Sequence, residues 1–158
     1  MKVAGHNYFC ILCAESNNKS ITNLPAISPP VNSRLDANSL LSYSVYDDHA
    51  VWVMRDGRAF AIGNGTNGKI CGKLPQSLLQ KQTEISITDS NGDQCIFLSA
   101  VCGTWYTLYL LQTQDGPDHL KLAYSCYSKD VDTPIFLNTR KLNPVALYGG
   151  SLTAAAID

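Results

Sequence analysis

The chain has 158 residues, 45% of them apolar and only 16% charged, with 12 lysines and arginines against 13 acids. That length suits one domain with a sizeable core, and the near-neutral balance, without a basic block or tail, excludes bulk attraction to nucleic-acid phosphates or anionic lipid. The longest apolar runs, such as "WYTLYLL" at 105–111, fall well short of the roughly 20 residues a helical bilayer span needs.

In chain order, Lys2 precedes an apolar stretch, but Gly5, His6 and Asn7 interrupt it and "ILCA" is a poor cleavage site, so no secretory leader is expected. The six cysteines then read as reduced thiols in a cytoplasmic chain, with the nucleus as the alternative, and the sequons at Asn18 and Asn64 as incidental. Cys10 and Cys13 form C-x-x-C, yet on a strand residues three apart point to opposite faces. Cys71, Cys95, Cys102 and Cys126 stand singly, so buried apolar thiols are expected rather than a metal site.

Repetition is the informative signal. "AGHNYFCIL" (4–12), "VYDDHAVWV" (45–53), "VCGTWYTLYL" (101–110) and "LYGGSLTAAA" (147–156) share a layout of small or turn-forming residues followed by strand-like ones. Aligning Tyr8, His49, Tyr106 and Leu152 gives spacings of 41, 57 and 46 residues, the signature of a repeat architecture. The units are 1–40, 41–98, 99–143 and the start of another at 144–158, within one repeat domain spanning 1–158.

"HAVWVM" and "YTLYLL" have the length and the β-branched and aromatic content of strands. Asp56-Gly57 between apolar runs predicts a two-residue type I′ hairpin, and Asp115-Gly116-Pro117 divides two strands in the next unit. The prolines of 24–34 predict a loop, and "PQSLLQKQTE" (75–84) is the one stretch that suits the start of a helix. Each unit is a small sheet unable to cover its own apolar faces. Such sheets become stable when stacked radially as propeller blades, and strands buried on both faces lose strict alternation.

The stretch His49–Ile70 resembles the repeat of the regulator of chromosome condensation family: His49 and Val51, the Asp56-Gly57 turn, then Gly63, Asn64 and Gly68, with Lys69-Ile70 in the Gln-Leu place and Ile62 where Trp is usual. The resemblance implies an all-β propeller of seven blades, of which about three repeats are present as an incomplete ring. It also implies a hydrogen bond from His49 within or between blades. Open blade edges lead to an expectation of self-association.

"GNGTNGK" at Gly63–Lys69 partly fits two phosphate-binding patterns. A P-loop needs a hydroxyl after its lysine and a helix aimed at the phosphates. Ile70 replaces the hydroxyl, Gly72 and Pro75 oppose the helix, and Asp89, where a ribose-binding acid would fall, sits in a turn-like "TDSNGD". The glycines are expected to serve backbone conformations closed to other residues. Asp47-Asp48 and Asp130/Asp132 read as solvated loop acids, and Trp52, Trp105, Tyr106 and Tyr109 as strand residues of the core. Tyr43, Tyr46 and Tyr148 are the candidate interface aromatics.

No catalytic, cofactor-binding or metal-ligating residue is assigned, and no cofactor is expected. The expected function is a non-enzymatic protein-interaction module or scaffold, with an unidentified protein partner and neither membrane nor nucleic acid. The alternatives are a nucleotide-exchange regulator of a small GTPase, implied by the resemblance, and a nucleotide-binding enzyme using Gly63–Lys69.

Overall fold

The computed structural model describes residues 39–65, 68–70, 78–114, 119–126, 134–137, 146–150 and 154–157. Strands β1 (Leu40–Tyr46), β2 (His49–Met54), β3 (Ala59–Asn64) and β4 (Leu78–Ile85) form one antiparallel sheet in chain order. Strands β5 (Ile96–Cys102), β6 (Tyr106–Gln112), β7 (Leu120–Cys126) and β8 (Ile135–Leu137) repeat that meander in a second, and β9 (Ala146–Gly149) pairs with β10 (Ala154–Ile157). Among the described residues no α-helix occurs.

The register explains why the apolar runs do not alternate. Val51 pairs with Ala61, and Trp52 with Phe60. His49, Val51 and Val53 therefore share one face of the sheet, and Ala50, Trp52 and Met54 share the other. Both faces are buried. Val51, Val53, Ala59 and Ala61 join a core with Phe97, Tyr109, Leu111 and Ala123 of the second sheet, while Ala50, Trp52, Met54, Phe60 and Ile62 form a separate cluster. Each fully buried valine or leucine stabilises by roughly 1.5–3 kcal/mol. Phe97 and Tyr109 meet edge to face, their ring centres 5.8 Å apart.

The sheets stack first strand against first strand. Ser42 Oγ lies 3.3 Å from Ser99 Oγ, and the Cys102 N–H donates to Ser44 Oγ at 2.9 Å, so β1 and β5 run side by side. β9 follows β5: a Cβ on Gly149 would collide with the Val101 side chain, and the Tyr106 hydroxyl donates to the Gly150 carbonyl at 2.9 Å. This is the radial arrangement of propeller blades. One rim carries the β1–β2, β3–β4 and β5–β6 connections, and the opposite rim carries β2–β3, β4–β5 and β6–β7.

Three local expectations are corrected. The β2–β3 turn is a three-residue loop: the Gly57 N–H donates to Met54 O at 3.0 Å, the Met54 N–H to Arg58 O at 2.8 Å, and only Gly57 (φ 85°), not Asp56, has positive φ. A type I′ turn needs both, and Gly57 instead supplies a bulge. Residues 78–84 are strand rather than helix, because the edge of β3 needs a partner and finds it in Thr83, Glu84 and Ile85. Trp105 lies in the β5–β6 turn and is 48% exposed. Residues 1–38, nearly all of the first unit (1–40) with Cys10, Cys13 and the 24–34 loop, lie outside the described residues, as do Cys71, Asp115-Gly116-Pro117 and Asp130/Asp132.

Candidate functional site

The densest polar chemistry lies where the two blades meet. His49, the first residue of β2, is fully buried, and so is Thr107 on β6. His49 Nδ1 sits 3.0 Å from Asp48 Oδ1 and Nε2 sits 3.0 Å from Thr107 Oγ1. The Thr107 and Ser125 hydroxyls each donate to the Lys69 carbonyl at 2.7 Å. The Lys69 ammonium donates to Asp48 Oδ2, which also accepts from Asn64 Nδ2 at 3.0 Å. The cluster thus ties β2 and the β3–β4 connection of one blade to β6 and β7 of the next.

The partners of His49 set its charge. Thr107 has one hydroxyl proton, and it goes to the Lys69 carbonyl, so its oxygen accepts from Nε2–H; the Asp48 carboxylate accepts from Nδ1–H. Both ring nitrogens donate, which makes the ring an imidazolium. Burial pulls its pKa down, but the Cys102 sulfur and the Asp48 carboxylate outweigh that and raise it to about 9. Burial likewise pushes Asp48 up, yet its hydrogen bonds from His49 and Lys69, and their charges, hold it below the usual carboxylate value.

Asp, His and a hydroxyl in line have the look of a nucleophilic relay. As arranged, this one does different work. The imidazolium has no lone pair to take a proton, and the Thr107 hydroxyl is enclosed and already donating. The cluster is a clamp between blades.

The glycine-rich stretch serves that clamp. Gly63 (φ 103°) and Gly68 (φ 75°) adopt the left-handed conformations expected of them, bringing Lys69 back under the blade junction. Lys69 is buried and ion-paired, and Ile70, in the apolar place of the repeat, enters the core. Asp89 accepts from the Asn91 and Asp93 N–H groups at 2.8 and 3.0 Å, so the acid of the supposed fingerprint caps its own turn.

Asp48 corrects the sequence reading of both Asp47 and Asp48 as solvated: Asp47 is exposed, with φ 49°, but Asp48 turns inward. Tyr46 packs on the interblade core and Tyr43 lies 6.1 Å from Trp52, so neither stands clear of the blades; Tyr148 is exposed. The Lys69 ammonium lies 4.9 Å from the centre of the exposed Trp105 ring. The sequence reading leaves Thr107 and Ser125 unmarked, takes Asp48 for a solvated acid and names Lys69 only as part of the repeat match and the Gly63–Lys69 loop. The one local signal of the cluster is that Asp48, the last residue of the two-residue turn, directly precedes His49. Among the described residues no cluster of His, Cys, Asp or Glu could hold a metal ion, and no helix is long and apolar enough to cross a membrane.

No family model matches the sequence, and no curated protein does. Solved structures do. Prp20p of Saccharomyces cerevisiae superposes with a TM-score of 0.69 at 16% identity, over 99% of this chain and 38% of that one. The fold is that of the RCC1 propeller. Yeast RCC1 (Prp20) in complex with Kap60 matches 73% of the chain and 29% of its own length, with TM-score 0.52 and 17% identity. Human WBSCR16 gives TM-score 0.68 at 13% identity, over 99% of this chain and 40% of that one. The chain therefore spans two-fifths or less of each of these proteins, and its two four-stranded sheets are RCC1-type blades.

Proposed function

We propose that the chain is a non-enzymatic protein-interaction module that recognises its partner with the loops of a blade rim, and that it acts in the cytoplasm. The carrying observation is a division of labour. The charged and hydroxyl groups of the Asp48–His49–Lys69–Thr107–Ser125 cluster are enclosed between blades, whereas Trp105 is displayed on a rim. Rim loops on a rigid sheet scaffold are where recognition is usually built, and exposed aromatics are enriched at interfaces. Protein binding among the similar structures supports the reading: Prp20p is described by its binding to Gsp1p and histones, and yeast RCC1 is seen bound to Kap60.

The test is site-specific photo-cross-linking in cells, with the cross-linking residue in place of Thr104 on one rim or Asn91 on the other. A discrete protein adduct from either rim is expected. Absence of any adduct from both would overturn the reading. Regulation of a small GTPase is a finer version of the same proposal, suggested by the RCC1-type fold. Accelerated release of labelled GDP from a candidate GTPase on adding the purified chain would support it, and an unchanged rate across candidates would end it.

A further inference from the structure

We propose that Trp105 and Asp47 together receive the guanidinium of an arginine-bearing segment of a partner protein; this rests on the protein-interaction reading above. The two residues sit at the tips of neighbouring turns. The β1–β2 and β5–β6 turns leave their blades at the same level, because Ser44 Oγ accepts the Cys102 N–H at 2.9 Å just before them and His49 meets Thr107 at 3.0 Å just after. Asp47 lies three residues beyond Ser44 and Trp105 three beyond Cys102. The contacts on both sides put the two tips on the same rim of adjoining blades.

Each tip is held ready. The Gly103 N–H donates to Tyr106 O at 2.9 Å, closing the turn that carries Trp105, and a Cβ on Gly103 would run into the Tyr106 ring. Lys69 sits against the indole from inside, while 48% of Trp105 remains exposed. Asp47 is exposed in a left-handed conformation, and among the described residues no ion pair takes its carboxylate. The cluster's charges balance, Asp47 and Asp48 against His49 and Lys69, but only that of Asp47 is at the surface. A surface anion on the same rim as an exposed indole, on the adjoining blade, suits a cation, and arginine best: its plane stacks on the ring while its forked N–H groups reach for the carboxylate.

The opposite rim offers no such pair among its described residues. Asp56 is held by Arg58 at 2.8 Å, Asp89 is taken up in its own turn, and Asp93, though exposed, has no exposed tryptophan or tyrosine on its rim. An aromatic anchor already fixed in place loses little entropy on binding.

The test titrates the purified full chain with a fluorescein-labelled nonapeptide carrying arginines among glycine and serine, against peptides with lysine or glutamate in the same places. Saturable binding in the order arginine, lysine, glutamate is expected. Trp105→Ala should weaken the arginine peptide about tenfold, the size of an interface anchor, and Asp47→Asn about fivefold, the effect of removing a charge-assisted partner. Asp93→Asn, the same charge change on the opposite rim, should leave affinity within about twofold, because that carboxylate is beyond the screening distance of the bound cation. Asp47→Asn keeps a residue that tolerates the left-handed turn, and its circular dichroism and melting temperature check the fold. Equal affinity for arginine and glutamate peptides, equal losses in Asp47→Asn and Asp93→Asn, or no saturable binding would overturn the proposal. An adduct at Asn91 with no arginine-peptide binding sinks this inference and leaves the interaction reading standing; no adduct at either rim sinks both.

Discussion

His49 shows how a polar residue earns a place in an apolar junction. Its two nitrogens, two hydroxyls, a carboxylate, an ammonium and a carbonyl satisfy one another across the sheets. Removing one member leaves others buried without partners, so His49→Ala should cost roughly 3–5 kcal/mol in urea unfolding, and Thr107→Val about 1–3 kcal/mol. The charge on His49 gives a pH signature. Its folded pKa is raised from 6.5 to about 9, so its stabilisation is complete below pH 6.5 and is lost as pH climbs through about 9. In order of magnitude that is about 3 kcal/mol. Unfolding curves from pH 6 to 10 should show it in the native chain and lose it in His49→Ala. The Cys95 thiol, pushed up to about 11 mainly by burial, adds a decline at still higher pH that both share. At this scale the sequence showed His49 at its repeat position but not its partners. Asp48 reads as solvated because adjacent acids usually are, and only its place next to His49 hints that the two-residue turn folds one of the pair inward.

Turn glycines and paired edges govern the elements. Gly57 has φ 85°, and an added Cβ would lie 2.5 Å from Ile96 Cγ2 on the next blade. Gly57→Ala should therefore destabilise by more than the roughly 1 kcal/mol of an ordinary glycine loss, about 2 kcal/mol by chemical denaturation. Gly92→Ala makes the comparison: its φ is 88° but nothing lies within 4 Å, so it isolates backbone strain and should cost less. Strands β2, β3 and β6 were legible as short β-branched and aromatic runs bounded by Gly and Asp. Strand β4 was not, because "LLQKQTE" has good helix formers and becomes a strand only through pairing with β3. Trp105 misleads for the converse reason: it begins an apolar run, yet the turn closed between Gly103 and Tyr106 takes it in before β6 starts.

For the whole molecule, the interblade layer is the unit of stability. Phe97 and Tyr109 are almost wholly enclosed in a core drawn from both sheets. Phe97→Ala should cost about 3–5 kcal/mol, and native-state hydrogen exchange should show β2 and β6 losing protection together rather than one blade before the other. Repeat spacing and doubly buried strands made the blade architecture readable from sequence. The clamp was not, because it joins His49 to Thr107, 58 positions away, through a hydroxyl that leaves no periodic trace. The stacked-blade account is tested most directly by nitrogen-15 and proton NMR of His49 at neutral pH. Both ring nitrogens should carry protons, titrating only as pH nears 9, with nuclear Overhauser contacts from the ring to Thr107. A neutral ring titrating near 6.5, with no contact to Thr107, would contradict it.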